Sequence, residues 1–178
     1  MNVLLEYLDE RDRGVSGRLA VWKPPRWFRV WMLAATRLGD GWLWLLTGTV
    51  LLVIGDTRVL GAAGIASLAA NVTIVLLKKR FKRRRPASYT ANAFFQVGRP
   101  DLFAFDHFSF PSGHTLNAFA IGTVLILAHP AIGPAVACVA ASVGLSRVVL
   151  RMHFVTDVLV GALLGSLIGG AAGSLLLP

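Results

Sequence analysis

Long apolar runs separated by short polar stretches occupy most of the chain after residue 41. The runs cover residues 42–55, 59–77, 112–128, 131–150 and 154–177. A bilayer core of about 30 Å requires about 20 helical residues, so the first and third runs must run short or borrow flanking residues. The pattern predicts an all-α, polytopic membrane helix bundle with about five membrane-spanning helices.

The segment before the first run, "PPRWFRVWMLAATRLGDG", predicts a separate helix. Two prolines favour its start and a Gly-Asp-Gly sequence its end. At about 100° per residue its arginines fall on one side and its aromatic residues on the other, which is typical of an interfacial amphipathic helix. The alternative is that residues 27–42 begin a tilted first membrane helix. We therefore predict an N-terminal amphipathic, interfacial segment, residues 1–38, and a membrane domain, residues 39–178.

Composition agrees with a membrane location. Of the 178 residues 55% are hydrophobic and the mean hydropathy is +0.64, which excludes an ordinary soluble domain of this length. The single cysteine, Cys138, excludes a disulfide framework within the chain and a thiolate metal site. The N-terminal sequence "MNVLLEYLDERDR" has early acidic residues and no long apolar core. We expect no cleaved signal peptide and an integral cell (inner) membrane protein.

The net charge of +9 is concentrated in two blocks, residues 11–37 and 78–85. The second block, "KKRFKRRRP", directly follows a membrane-length run, where anionic lipid or phosphate headgroups are the simpler partners. Nucleic acid is the alternative for such a basic run. We expect membrane lipids as partners and no nucleic acid.

The last apolar run contains four glycines spaced four residues apart, which form one face of a helix: Gly161, Gly165, Gly169 and Gly173. Small residues at this spacing allow two helix backbones to approach closely. We expect the ridge to pack inside one bundle. A homo-oligomer formed through the ridge is the alternative.

Polar residues interrupt the apolar runs at three places. The basic block follows the second run, "FPSGH" opens the third, and "SRVVLRMHFVTD" at residues 146–157 joins the fourth to the fifth. If the chain crosses the membrane at every run, all three places lie on the same side. The topology therefore predicts one polar site at one membrane face.

The residue types at these three places suit a phosphoryl group. Lys78, Arg85 and Arg147 supply positive charge and donors that match phosphate oxygens. The Ser112-Gly113 turn at the start of a helix adds backbone amides and a helix N-terminus. Together these groups predict a phosphate-binding site.

Two histidines add the groups needed for covalent chemistry. His114 and His153 can provide a nucleophile and an acid without a metal. If the fifth helix begins near His153, Asp157 lies one turn further on the same face. The carboxylate would then accept a hydrogen bond from one imidazole nitrogen and leave the other free to attack. Phosphoryl transfer depends mainly on positioning and charge stabilisation, which these residues offer.

These residues, taken together, resemble the signatures of the type 2 phosphatidic acid phosphatase (PAP2) superfamily. That family shares its core with glucose-6-phosphatase and the vanadium haloperoxidases. The matching positions are Lys78, six residues, then Arg85 and Pro86; Pro111-Ser112-Gly113-His114; and Ser146-Arg147, five residues, His153, three residues, then Asp157. The resemblance covers residue 39 to the C-terminus and implies a PAP2/haloperoxidase-like core.

The resemblance also implies residue roles. His153 would be the nucleophile that forms a phosphohistidine, Asp157 would orient it, and His114 would protonate the leaving group. The phosphoryl oxygens would be bound by Lys78, Arg85, Ser112, Gly113 and Arg147. The resemblance implies no metal and no other cofactor. Vanadate, which mimics the transferring phosphoryl group, should inhibit.

The remaining polar residues are interpreted more simply. Five other cations of the basic block are expected to contact headgroups: Lys79, Arg80, Lys82, Arg83 and Arg84. His129, next to Pro130, is expected in a turn on the far side. His107 is placed in the loop before the second signature, and Arg99, Asp101 and Asp106 are expected to be solvated loop residues or salt-bridge partners of the basic block.

A site at the membrane surface suits a lipid whose tail stays in the bilayer while its phosphate enters the site. Candidates are an isoprenoid diphosphate, phosphatidate and phosphatidylglycerol phosphate. The residues in and around the three signatures are most similar to the polyisoprenoid diphosphate branch of the family. We predict a metal-independent lipid phosphatase. The alternatives are a lipid phosphotransferase that uses the same phosphohistidine, and a catalytically silent lipid-binding membrane protein.

The placement of Lys and Arg also predicts sidedness. With the chain threaded through five spans, Arg58 is the one Lys or Arg on the face opposite the site. The positive-inside rule then places the site and the N-terminus in the cytoplasm. The outer face stays as the alternative, since the site itself requires several cations.

Overall fold

The computed structural model describes residues 3–86 and 108–177, and its regular structure there is helical. The all-α prediction is confirmed. A 3-10 turn, Pro130–Ile132, precedes the sixth helix. The helices are α1 Val3–Val21, α2 Arg26–Leu38, α3 Trp42–Val53, α4 Thr57–Phe81, α5 Gly113–Ala128, α6 Gly133–Val149 and α7 Val155–Leu176.

Helices α3 to α7 correspond to the five apolar runs. Three of them are long and apolar enough to cross a membrane: α4 with 25 residues, α6 with its preceding turn with 20, and α7 with 22. Helices α3 and α5 are also apolar but have only 12 and 16 residues. The chain is an integral membrane protein. The count of five crossings stays a prediction.

The junction between α2 and α3 decides between the two interpretations of the upstream segment. Helix α2 begins after Pro25 and ends before Gly39. Gly41 has φ 105°, in the left-handed region that favours glycine, and α3 begins after it. The two helices are therefore separate, and the continuous tilted helix is excluded.

The face of α2 that packs against α6 is not its aromatic face. Its buried residues are Met32, Ala35 and Thr36, whereas the rings of Trp27 and Trp31 are exposed. An exposed aromatic face next to arginines is the arrangement expected of a helix at a membrane interface. The interfacial position of α2 stays a prediction.

Helix α1 was not predicted. Its sequence, VLLEYLDERDRGVSGRLAV, carries charges on all sides and two glycines, so it lacks an apolar stripe of helical period. It contacts the start of α7. The division at residue 38 stays a prediction, but α1 is in direct contact with the membrane domain.

The core lies between α4, α5 and α7, with α5 in contact with each of its neighbours α4, α6 and α7. Alanines of α4, including Ala62, Ala66 and Ala70, are buried in the same cluster as Leu116 and Ala120 of α5. Because lipid removes the hydrophobic drive between helices, close contact of small side chains is what stabilises this pairing.

The glycine ridge of α7 packs against α5. A methyl group added at Gly165 would overlap the carbonyl oxygen of Leu116, and one at Gly169 would overlap that of Ala120. All four ridge glycines are buried within the one chain. The expected packing inside the bundle is thus found, and the homo-oligomer stays a prediction.

We expect Gly169→Ala to lower the midpoint of thermal unfolding in detergent. The added methyl group must displace backbone of α5, and such overpacking costs about 1–3 kcal/mol. Gly170→Ala is the matched control, because a methyl group there meets no atom within 4 Å and alanine is the better helix former. Equal midpoints for the two variants would contradict this account of the ridge.

Candidate active site

Four helix ends meet at one end of the bundle. Lys78 lies in the last turn of α4 and Arg147 in the last turn of α6, while Ser112 precedes α5 and Asp157 lies in the first turn of α7. The amide of Ser112 donates to the carbonyl of Asp157 over 3.0 Å. The structure therefore brings the three polar places of the sequence together at one end of the helices.

A tight loop between α6 and α7 places His153. The amides of Met152 and His153 both donate to the carbonyl of Arg147, over 2.9 and 3.0 Å. Arg151 takes a left-handed conformation with φ 57°, which lets the chain reverse within a few residues. His153 is buried, with 2% of its surface exposed. The loop thus ties the position of His153 to that of Arg147.

The Nδ1 atom of His153 faces two oxygens. It lies 2.6 Å from the carbonyl oxygen of Ser109 and 3.7 Å from Oδ2 of Asp157. Both oxygens can only accept, so Nδ1 carries the hydrogen and the lone pair of Nε2 is free for attack. The prediction that Asp157 accepts this hydrogen bond needs correction, since the acceptor is the main chain of Ser109.

The carboxylate of Asp157 is held on both oxygens. Oδ2 accepts from the amide of Phe154 over 2.8 Å, and Oδ1 accepts from Nη1 of Arg83 over 2.7 Å. The side chain is fully buried. A carboxylate fixed at both oxygens keeps one edge turned toward the His153 ring, which it can then orient and stabilise electrostatically.

The surroundings of His153 keep the ring neutral. Burial, with a further contribution from the positive charges of Arg147 and Arg85, outweighs the Asp157 carboxylate and lowers the pKa of His153 to about 3. A neutral imidazole at pH 7 has the lone pair that a nucleophile requires.

The predicted phosphate-binding cations are largely withdrawn from solvent. Arg147 is 4% exposed and Lys78 is 8% exposed. Nη1 of Arg147 donates to Oγ1 of Thr36 in α2 over 2.5 Å. A phosphoryl group that entered this cluster would meet charged donors partly withdrawn from water, where electrostatic attraction is stronger than in bulk solvent.

Helix α5 begins at Gly113, as the sequence predicted for an anion-binding helix start. The hydroxyls of Ser112 and Thr115 bond each other over 2.9 Å. The amide of Ser112 donates to the carbonyl of Asp157, so Gly113 is left of the two predicted amide donors, and the amide of His114 follows it in the first turn. Amides at these positions have no acceptor within any α-helix, which leaves them for a ligand.

His114 has a partner that sequence reasoning missed. Its Nε2 lies 2.9 Å from Oδ1 of Asp40, in the turn between α2 and α3. Glycine at position 39 leaves room for this contact, because a Cβ atom there would lie only 2.8 Å from the His114 ring. The hydrogen bond from His114, followed by the charges of Arg147 and Arg37, holds the pKa of Asp40 below its usual value. Asp40 therefore orients the ring of His114 as an ionised carboxylate.

A cavity of about 850 Å³ opens beside His114, between α3, α4 and α5. Asp40 and His114 line it, and Ser67, Asn71 and Asn117 add a polar patch to its wall. The amides of Asn71 and Asn117 bond each other over 3.2 and 3.4 Å and so link α4 to α5. The apolar wall includes Trp44, Leu45, Leu60, Ala63, Ile74 and Ile121.

The remaining polar residues have varied outcomes. His129 lies at the opposite end, 3.1 Å from Asp56, and its position in a turn is confirmed. Arg83 was expected at lipid headgroups, which is wrong, since its side chain is paired inside the protein with Asp157. His107, Arg99, Asp101 and Asp106 lie outside the described residues.

Comparison with known proteins finds similar membrane phosphatases. The chain is 32% identical over 121 residues to a decaprenylphosphoryl-5-phosphoribose phosphatase of Mycolicibacterium smegmatis, and this match covers 68% of the chain and 62% of that relative. It resembles the solved transmembrane PAP2-type phosphatidylglycerolphosphate phosphatase of Bacillus subtilis, with a TM-score of 0.72 and 26% identity over 95% of this chain and 86% of that one.

A second solved structure is equally similar in fold. Aquifex aeolicus LpxE has a TM-score of 0.72 and 25% identity, and the match covers 92% of both chains. The family model described as the PAP2 superfamily matches residues 59–175, which include all three signatures. The chain belongs to the PAP2 superfamily.

Proposed function

We propose that this protein is a metal-independent membrane lipid phosphatase that hydrolyses the phosphomonoester or diphosphate of a polyisoprenoid lipid through a phosphohistidine. The observation that carries the proposal is the state of His153. Its ring is buried and neutral, Nδ1 is fixed by the carbonyl oxygen of Ser109, and the positive charges of Arg147 and Arg85 oppose protonation of the ring. An anchored imidazole among cations is the arrangement that attack on a phosphorus atom requires.

The first step transfers the phosphoryl group to the protein. Nε2 of His153 attacks the phosphorus while the bond to the leaving oxygen breaks. His114, whose Nε2–H donates to Asp40, gives that oxygen the proton carried on Nδ1 of its protonated ring. Lys78, Arg85 and Arg147 bind the phosphoryl oxygens and stabilise the charge on them. Asp157, 3.7 Å from Nδ1, stabilises the positive charge that the ring gains.

The second step releases phosphate. Water attacks the phosphohistidine, the P–N bond breaks, and the electron pair returns to Nε2, so that neutral His153 is restored. His114, deprotonated in the first step, takes a proton from the attacking water. A phosphotransferase would deliver the phosphoryl group to another lipid at this step instead of to water.

The polyisoprenoid substrate is supported by two observations. The relative from Mycolicibacterium smegmatis is named for a decaprenyl-linked phosphate. The cavity beside His114 leads from the site to apolar residues such as Leu60 and Ala63, deeper in the helices, where a lipid chain could lie. Such a chain would reach the site from the bilayer between α3 and α4.

The site is proposed to face the cytoplasm. The arginine-bearing helices α1 and α2 contact α7 and α6, which carry the site, so their positive charges lie near the same end. By the positive-inside rule this end belongs in the cytoplasm. The cations of α1 and α2 are not among the proposed phosphate-binding residues, so they support this orientation independently of the site.

Phosphate release by the purified protein tests the proposal. We expect it to release inorganic phosphate from farnesyl diphosphate, and more slowly from phosphatidate or phosphatidylglycerol phosphate, in buffer that contains EDTA. Vanadate should inhibit. Transfer of labelled phosphate to an added lipid alcohol, without free phosphate, would indicate the phosphotransferase. No reaction of any of the three lipids would reject the phosphatase.

A further inference from the structure

Arg83 lies at the centre of a cluster of three carboxylates. Its Nη1 donates to Oδ1 of Asp157 over 2.7 Å, and its Nη2 donates to Asp9 over 2.9 Å and to Asp12 over 2.8 Å. The guanidinium also stacks on the ring of Phe154, 4.1 Å from its centroid. One side chain thus joins α1 to the carboxylate that faces the nucleophile.

Helix α7 depends on α1 for its N-terminal cap. The residue at its cap position, Phe154, has no side-chain oxygen to accept from the first amides. Asp12 of α1 caps the helix instead, since its Oδ1 accepts from the amide of Thr156 over 3.2 Å. Its Oδ2 accepts a short hydrogen bond from the hydroxyl of Thr156. A distant helix therefore supplies the cap that the local sequence lacks.

The cluster is buried enough to be rigid. Asp12 is 3% exposed, Asp157 is fully buried and the side chain of Arg83 is 20% exposed. Buried charges of opposite sign hold their geometry strongly, because breaking one pair leaves the other partner uncompensated. Arg83 is the member that contacts both α1 and Asp157.

We propose that Arg83 and Asp12 are positioning residues for the nucleophile, and that α1 acts through them to fix Asp157 and His153. This inference rests on the proposed phosphatase function. Arg83 holds Oδ1 of Asp157, so that Oδ2 stays on the amide of Phe154 and toward Nδ1 of His153. Asp12 holds both Arg83 and the first turn of α7. Among the described residues, the side-chain hydrogen bonds of Arg83 and Asp12 go to one another and to Asp9, Thr156 and Asp157, and none goes to His153.

Kinetics of substituted proteins test the proposal. For Arg83→Gln and for Asp12→Asn we expect kcat per folded molecule to fall about 10- to 100-fold, the usual loss when the partner of a catalytic side chain is removed, with KM little changed. Arg83→Lys keeps the positive charge but loses the two-pronged guanidinium that donates to two carboxylates at once. Its kcat should lie between that of Arg83→Gln and that of wild type. Glu10→Gln, on an exposed position of α1, is the matched control and should behave as wild type.

The double variant tests whether Asp12 affects kcat through Arg83. If it does, Arg83→Gln with Asp12→Asn loses no more than Arg83→Gln alone. Multiplied losses, or wild-type kcat for Arg83→Gln, would overturn the proposal. A purely structural role would lower the folded fraction and leave kcat per folded molecule unchanged.

Imidazole ¹⁵N NMR supplies a readout that needs no turnover. Loss of Arg83 should change the ¹⁵N shifts and the titration of His153, because the ring loses both a nearby positive charge and the fixed position of the Asp157 carboxylate. An identical His153 titration in wild type and Arg83→Gln overturns the positioning role, even for a protein that hydrolyses none of the lipids tested. Failure of the phosphatase proposal is recognised separately, by a wild-type protein that releases no phosphate.

Discussion

Replacing His153 with asparagine should lower the rate of phosphate release by at least about 10⁴-fold, as removal of a catalytic nucleophile does in other enzymes that form covalent intermediates. The variant has no nitrogen in place of Nε2. Its side-chain amide can still donate to the carbonyl of Ser109, which accepts from Nδ1 over 2.6 Å in the wild type. The buried hydrogen bond is thereby kept, and the variant is expected to fold. The measurement is kcat on farnesyl diphosphate in detergent.

Trapping of the intermediate supplies the second readout for the same variant. Wild type quenched in alkali during turnover should carry a phosphate that is labile in acid, and His153→Asn should carry none. His129→Gln is the matched control, because its ring lies at the opposite end of the bundle beside Asp56. Wild-type kcat in His153→Asn, or an acid-labile phosphate on it, would refute the nucleophile assignment.

The helices of the membrane domain could be predicted because their signal is local. Each apolar run became one helix, and the glycine spacing in α7 indicated the face that contacts α5. Helix α4 extends beyond its apolar run, which ends at residue 77. The helix continues through Lys78 to Phe81 and ends where Lys82 takes a left-handed conformation. Lysine is a good helix former and can extend its ammonium away from lipid, so hydropathy marks the membrane boundary and not the helix end.

The meeting of the three signatures could also be predicted, since it follows from alternating crossings. The partners that complete the site could not. Ser109 contributes a main-chain oxygen to Nδ1 of His153, and a backbone atom leaves no mark on the residue type. Asp40 stands in a Gly-Asp-Gly turn, where an aspartate is common for reasons of turn chemistry alone.

The contacts of α1 were hidden for a different reason. Arg83 pairs with Asp12 across 71 residues of sequence, and no period or motif relates two positions so far apart. Within a run of eight residues that holds seven cations, nothing distinguishes Arg83 from its neighbours. Its separate role depends on the αL turn at Lys82, which directs the next residues back toward α7.

Replacing His114 with alanine should lower kcat on an alkyl or isoprenyl phosphate by about 10²- to 10⁴-fold, the range typical for loss of a general acid. The reason is the leaving group, since an alkoxide is too basic to depart without a proton. Asp40, 2.9 Å from Nε2, keeps the ring in place in the wild type and has no imidazole to hold in the variant. The measurement is kcat of the variant and of wild type on farnesyl phosphate.

The choice of substrate makes this prediction specific to proton transfer. Nitrophenolate leaves without protonation, so the loss on nitrophenyl phosphate should be much smaller than the loss on farnesyl phosphate. The phosphohistidine on His153 should still form with the activated substrate. His129→Ala, changed at the other end of the bundle, should show wild-type rates on both substrates. Equal losses on the two substrates would mean that His114 binds the phosphoryl group and does not protonate the leaving oxygen.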